Sequence, residues 1–260
     1  MRQDLSDMII HDLRSPLTAI VGGLQVAGDL LDAQADGAMI HRALNLADES
    51  CSRLITLVGS LLDISRLEAG QMPLERQLLL LPQLAQSVIQ QMEPVAEDHN
   101  ITLQLQSASP MPPVEADEEL VSRVLVNLVD NALKHTSDNS TVTVKIAPEF
   151  VEEEPGQAGL DGEAESPRQY VRCTVLDQGP GIPDEHRDTV FERFAQLNGR
   201  RRGAGLGLAF CRLTIQAHGG RIWIQDNPGG QGSAFAFTLP VLSLEVLSRL
   251  DTAQQSTFES

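Results

Sequence analysis

The segment Ile10-His11-Asp12-Leu13-Arg14-Ser15-Pro16-Leu17-Thr18-Ala19-Ile20 sets the rhythm of the first quarter of the chain. Its apolar residues fall at Ile10, Leu13, Leu17 and Ile20, and the same steps of three and four continue at Leu24, Ala27 and Leu31. After a polar break at Asp32 to Gly37 the rhythm resumes at Ile40, Leu44, Ala47, Cys51, Leu54, Val58 and Leu61. A repeat of ~3.5 residues lays an apolar seam along one side of a helix. Two long helices are therefore expected between Leu5 and Leu67. Ile55 and Leu62 widen the stripe beyond what one partner helix covers. Two such hairpins pairing into a four-helix bundle, a homodimer, would bury it. The alternative is packing of the hairpin on the rest of the chain.

Gly70 and Pro73 end the second helix. Beyond them strand and helix signals mix. Strands are expected at Leu78–Leu81, Ile101–Leu105, Thr141–Ile146, Tyr170–Leu176, Arg221–Gln225 and Ala234–Leu239. Helices are expected at Pro82–Glu97, Asp117–His135 and Leu206–His218. That order predicts an α+β sandwich with helices on one face of a mixed sheet. Between Glu149 and Glu165 stand seven acidic residues and no basic one, which reads as a solvated loop between neighbouring strands. The tail after Pro240 carries no assignable signal.

At 260 residues the chain has room for two ordinary domains. A formal net charge of −17 repels phosphate backbones and anionic lipid, so neither nucleic acid nor a membrane surface is an expected partner. Cys51, Cys173 and Cys211 lack metal spacing and lie in apolar stretches, as buried thiols of a reducing compartment would. No apolar run approaches the ~20 residues that span a bilayer, and Met1-Arg2-Gln3-Asp4 lacks the apolar run of a signal peptide. A soluble, cytoplasmic protein is expected.

Four groups of residues carry chemistry. His11 lies one position past the seam, so its ring is expected to flank the bundle and face solvent. Asp12 can accept a hydrogen bond from one ring nitrogen, leaving the other as a nucleophilic lone pair. Pro16 removes the amide that would bond the Asp12 carbonyl and is expected to kink the helix. Read alone, this is equally an ordinary surface histidine.

The second group is Asn127-Leu-Val-Asp-Asn131-Ala-Leu-Lys134-His135. Asn127, Asn131 and Lys134 share one helical face, where amide oxygens and an ammonium suit Mg²⁺ and the phosphates it carries. A solvated polar face is the plain alternative, although Asn is a poor helix former. The third, Asp177-Gln-Gly179-Pro-Gly181, follows a strand directly. It reads as a carboxylate beside glycines that let backbone approach a flat ligand, or as a Gly-Pro turn. The fourth, Gly203-Ala-Gly205-Leu206-Gly207, opens a helix and so exposes N–H groups and a positive dipole end to phosphate. Its spacing is not that of a P-loop. Between the last two, Phe191 and Phe194 are expected to anchor a lid. Arg200, Arg201 and Arg202 read either as phosphate contacts or as a solvated loop.

Taken in order, these groups resemble the H, N, G1/F and G2 boxes of sensor histidine kinases, from about Asp4 to Pro240. The resemblance implies a dimerisation and histidine-phosphotransfer hairpin over residues 1–71, a hinge at 72–77, a Bergerat (GHKL-type) ATP-binding domain over 78–240 and a tail at 241–260. It implies ATP and Mg²⁺ as cofactors, His11 as phospho-acceptor and Asp12 as its orienting acid or general base. Asn131 would hold Mg²⁺, with Asn127 and Lys134 beside the phosphates, and His135 would belong to the same ATP site. Asp177 would accept the adenine amino group. Gly179, Gly181, Arg193, Gly203, Gly205, Leu206 and Gly207 would complete the ATP site. The implied partners are a second copy through the hairpin and a response regulator receiver domain. Gyrase-like and chaperone-like ATPases share the nucleotide boxes but lack a heptad hairpin carrying His-Asp-x-Arg-x-Pro. Ser15 stands where many relatives place Thr or Asn, and Gln196 where many have a nearby Arg.

Overall fold

A computed structural model describes residues 2–33, 36–151, 168–195 and 205–242, and within them the side chains of all but residues 2–12, 151 and 168. The first two helices, α1 (Arg2–Asp32) and α2 (Gly37–Glu68), form an antiparallel hairpin. Asp36 caps α2 by accepting a hydrogen bond from the Ala38 amide at 3.2 Å. At the other end the chain turns at Gly70 (φ +64°), and the Gln71 amide closes on the Arg66 carbonyl at 2.8 Å.

Small residues close the hairpin. A methyl on Gly23 would stand 3.1 Å from the Ala47 Cβ and 2.9 Å from the Ala43 carbonyl oxygen. Ala27, Ala43 and Ala47 are buried there. Helices this close have no room between them for the larger seam residues. Leu17, Leu24, Leu31, Leu44 and Val58 therefore remain exposed, as do Ile55 and Leu62 beside them. The expected seam is thus divided: its alanines meet within the hairpin, Leu13 and Leu61 pack on the common core, Ile20, Ile40 and Leu54 are half-buried, and the others named face outward. Cys51 shares that outward face and is exposed, correcting the expectation that all three thiols are buried. The helix α1 continues through Pro16 without a break.

The remainder is built in the order β1 (Arg76–Leu79), α3 (Leu81–Asp98), β2 (Thr102–Ser107), β3 (Val114–Asp117), α4 (Glu118–His135), β4 (Thr141–Val151), β5 (Arg168–Leu176), α5 (Gly207–Ala217), β6 (Ile222–Asp226) and β7 (Ser233–Pro240), with short 3₁₀ turns between β5 and α5. Five strands form a sheet in the order β2-β4-β5-β7-β6, with only β2 and β4 parallel, and β1 pairs with β3. The mixed sheet with helices on one face is as expected. Strand β3 was not legible, since four residues after Pro112-Pro113 carry almost no periodic signal. Strand β4 outruns its expected end by five residues (Ile146 to Val151) into the acidic stretch, where Glu149 is held by Arg172 at 3.0 Å.

Alternate residues of the strands turn towards the helices. Val142, Val144 and Ile146, then Val171, Cys173 and Val175, then Phe235, Phe237 and Leu239 are all at most 1% exposed. They meet Leu125, Leu128 and Val129 of α4 and Phe210 and Ile215 of α5 in one core. Removing one such side chain costs about 2–5 kcal/mol. That rigid layer fixes where α4, β5 and α5 begin and end.

Candidate functional site

Asp177 follows the last residue of β5 and is 4% exposed. Its Oδ1 accepts hydrogen bonds from the Gly179 amide (2.8 Å) and the Ser233 amide (3.1 Å). Burial pushes the carboxyl above its ordinary pKa, an effect partly offset by those two N–H donors and by the nearby charge of His135. Oδ2 receives no hydrogen bond among the described residues and is left for a ligand. The turn needs glycine at Gly179, because a methyl there would stand 2.6 Å from the His135 carbonyl oxygen. The end of α4 and the segment after β5 are thereby brought into contact.

The helix α4 is fixed at its start by Asp117, whose Oδ1 accepts from the Leu120 amide at 3.0 Å. Its other oxygen accepts from the Glu75 amide at 3.0 Å, tying the expected hinge to the helix. The buried ring of His218 completes this junction: Nε2 accepts from the Asp117 amide (3.0 Å) and Nδ1 bonds the Thr214 carbonyl (2.8 Å). Both bonds fit a neutral ring, and burial lowers the His218 pKa.

Asn127 and Asn131 lie half-buried along one side of α4, with Lys134 exposed a turn beyond. The Lys134 ammonium is 2.5 Å from Asp130 Oδ2. Opposite Asn127 the helix α5 begins: a methyl on Gly207 would be 3.2 Å from Asn127 Oδ1. Just before it, Gly205 (φ +65°) accepts from the Phe194 amide at 2.8 Å, and a methyl on Gly205 would collide with the Phe194 Cα at 2.7 Å. Phe194 and Phe191 are both 5% exposed, and the Phe191 ring stands edge-on to Phe235 at 6.5 Å. Leu206, also buried, caps α5.

Gly207 meets Asn127 and Gly179 meets His135, so the start of α5 and the segment after β5 both abut α4, the helix that also carries Asn131. Arg193, expected among the nucleotide contacts, has its guanidinium paired with Glu68 of α2. Gly181 lies on the loop beyond Gly179 (φ +79°). The side chains of His11 and Asp12, and residues Gln196, Arg200, Arg201, Arg202 and Gly203, lie outside the described residues; the backbone of His11 is within α1. Among the described residues no three His, Cys, Asp or Glu side chains gather as a metal cage. The Asn131 carboxamide makes no hydrogen bond among them. That donor set fits a hard cation held chiefly by a ligand's phosphates, with one amide oxygen from the protein.

One residue of consequence carried no sequence signal. Arg123 of α4 reaches across to α2, where Nη1 pairs with Asp63 Oδ2 and Nη2 donates to Ser60 Oγ at 2.9 Å. Its guanidinium also stands 4.1 Å over the Phe210 ring of α5. Ile64 and Leu67 of α2 are buried in the common core beside it, so the hairpin packs against the sandwich.

Residues 1–70 match the family model of the His Kinase A (phospho-acceptor) domain, and residues 116–243 match that of the histidine kinase-, DNA gyrase B- and HSP90-like ATPase. The chain belongs to the sensor histidine kinases. It is 34% identical over 239 residues to the adaptive-response sensory kinase SasA of Gloeothece citriformis, covering 90% of this chain and 56% of that one. It is 36% identical over 234 residues to the alginate biosynthesis sensor protein KinB of Pseudomonas aeruginosa, covering 89% and 36%. Among solved structures it resembles the histidine kinase AdeS of Acinetobacter baumannii (TM-score 0.63, 25% identity, 90% of this chain and 98% of that one). It also resembles full-length ShkA in complex with AMPPNP (TM-score 0.64, 27% identity, 93% and 46%). A third likeness is ThkA in complex with the response regulator protein TrrA (TM-score 0.65, 25% identity, 92% and 61%). The chain spans little more than half the length of the SasA relatives. None of the described helices is long and apolar enough to cross a membrane.

Proposed function

We propose that this histidine kinase phosphorylates its own His11 from ATP and passes the phosphoryl group to an aspartate on a response regulator receiver domain. The observation that carries the reading is that α4 meets Gly207 at Asn127 and, at His135, meets Gly179, whose amide donates to the buried, half-satisfied carboxylate of Asp177. A flat base with an exocyclic amine fits Asp177 Oδ2. Phosphates fit the start of α5, whose glycines expose backbone N–H groups and the positive end of an 11-residue helix.

Mg²⁺ would be held by Asn131 and the nucleotide phosphates and would neutralise phosphate charge. The chain's own work is positioning. One imidazole nitrogen of His11 attacks the γ-phosphorus in line, the bond from that phosphorus to the β,γ-bridging oxygen breaks, and ADP leaves. Asp12 accepts a hydrogen bond from the other ring nitrogen and so keeps the attacking one unprotonated. The antiparallel register that sets Gly23 beside Ala47 puts the His11 backbone, twelve residues earlier, level with Gly59. That level is close to Ser60 and Asp63, where α4 docks. The nucleotide domain is thus tethered near the acceptor's height on the hairpin.

The outward row Leu17, Leu24, Leu31, Leu44, Ile55, Val58 and Leu62 supports a homodimer through the hairpin, since water is a poor neighbour for so continuous an apolar face. The likeness to ThkA with its regulator, and to ShkA with AMPPNP, supports the partner and the nucleotide. The test is transfer: labelled protein mixed with candidate receiver domains should lose its label to one of them within minutes. No transfer to any receiver from the same genome would refute the second half of the reading.

A further inference from the structure

The sheet face turned away from α3, α4 and α5 is polar and holds an open cavity of about 460 Å³. That volume lies within the ~300–1,000 Å³ range of small-ligand pockets. Lys145 and Thr174 face each other across the β4–β5 ladder at its centre, with Gln106 beside Lys145 on β2. Arg172 stands one pair further along, and Gln178 and Gln225 form the rim.

The two charged groups that line the cavity, Lys145 and Arg172, are both cations. Gln178 Oε1 already accepts from the Thr141 amide at 3.0 Å, and Gln225 Oε1 accepts from Trp223 Nε1 at 3.2 Å. Each carboxamide oxygen thus has one lone pair in use, and the N–H groups are to spare. Arg172 gives one nitrogen to Glu149 at 3.0 Å and keeps its remaining donors. Lys145 is exposed and has no carboxylate partner among the described residues. It is one of only two lysines in a chain of net charge −17, so a counter-charge was not hard to supply. Thr174 is only 7% exposed, and its hydroxyl has no hydrogen bond among the described residues.

We propose that this cavity is a second ligand site, on the opposite face of the sheet from the nucleotide cleft, for a small acceptor-rich anion bearing a carboxylate or a phosphate group. The anion's oxygens take the hydrogen bonds that Lys145, Arg172 and the two glutamines have to give, and Thr174 fixes its depth. None of Asn127, Asn131, Asp177, Gly179, Gly205 and Gly207 lines it.

Amine acylation tests it directly on the full chain, with the modification of Lys145 followed by peptide mass spectrometry. Citrate and glucose 6-phosphate are the probes, and their two arms separate carboxylate from phosphate recognition. Glucose and chloride at matched ionic strength are the controls. Saturable slowing of Lys145 modification by one of the two anions is expected, by about tenfold at ten times its Kd. That slowing should be lost in Thr174→Val and in Arg172→Gln. Equal rates with and without both anions, slowing by chloride as strong as by either, or protection unchanged in both variants would overturn the proposal.

Discussion

Asp63 of the hairpin is ion-paired to Arg123 of α4, the helix that carries Asn127 and Asn131. The same guanidinium donates to Ser60 and lies over Phe210, so one side chain joins the hairpin, the nucleotide helix and α5. The pair is partly exposed, at 35% and 22% of the two side chains, which limits the worth of its charge. With the hydroxyl and the ring included, Arg123 contributes about 1–2 kcal/mol to docking. If, as the proposed mechanism requires, the domain shifts between loading ATP and presenting it, a clasp of that size sets a resting position and still opens.

Arg123→Ala should raise the population of undocked molecules roughly 5–30-fold, the factor that 1–2 kcal/mol carries. Limited proteolysis within residues 72–77 reads it, because cleavage there tracks the open fraction when opening is fast. An unchanged cleavage rate would remove the clasp.

Asp177→Asn keeps an oxygen to accept from Gly179 and Ser233 but replaces Oδ2 with an amide nitrogen, a donor where an adenine amine would need an acceptor. ATP affinity should fall roughly 5–150-fold, the worth of ~1–3 kcal/mol, with little change in thermal stability. Titration of the variant with a fluorescent ATP analogue checks it; full affinity would show that the carboxylate does not read the base.

His218 gives a pH dependence with a definite sign. Its folded pKa lies below the ordinary 6.5, because burial disfavours the charged ring, Arg76 adds to that, and the Thr214 carbonyl and Asp117 oppose it only in part. Below pH ~6.5 the unfolded chain therefore binds more protons at this site than the folded one. The junction's stabilisation is complete above that pH and is lost as the pH falls. Gln at this position can accept from Asp117 and donate to Thr214 without titrating. His218→Gln should flatten the decline in unfolding free energy between pH 7 and pH 5, measured by urea titration.

The outward apolar row predicts that Leu24→Glu, which adds charge to that face and removes nothing from the hairpin's own contact, yields monomers. Sedimentation of wild type and variant at micromolar concentration decides it. A dimeric Leu24→Glu variant would place the interface elsewhere.

Much of this was legible because it is local. The seam from Ile10 to Leu61, the stop at Gly70 and the glycines flanking Asp177 and Leu206 each act within a few residues of themselves. Even so, the sequence rhythm could not say which part of the seam stays inside the hairpin. That follows from Gly23 meeting Ala47, a three-dimensional fact. The clasp joins Asp63 to Arg123 across 60 positions and has no periodicity to betray it. Glu68 with Arg193, which draws an expected nucleotide contact to the hairpin, is of the same kind. Strand β3 escaped notice because it is four residues long and ends in the cap of α4. The cavity around Lys145 was invisible because its residues come from four strands and two turns.

The central claim is that an imidazole on the hairpin takes the γ-phosphoryl group of ATP. Incubation with γ-labelled ATP and Mg²⁺, for wild type and His11→Gln side by side, tests it most directly. Wild type should acquire an acid-labile, alkali-stable label and the variant none, although the variant binds ATP with wild-type affinity. The same acid-labile label on His11→Gln, or none on wild type that binds ATP, would contradict it.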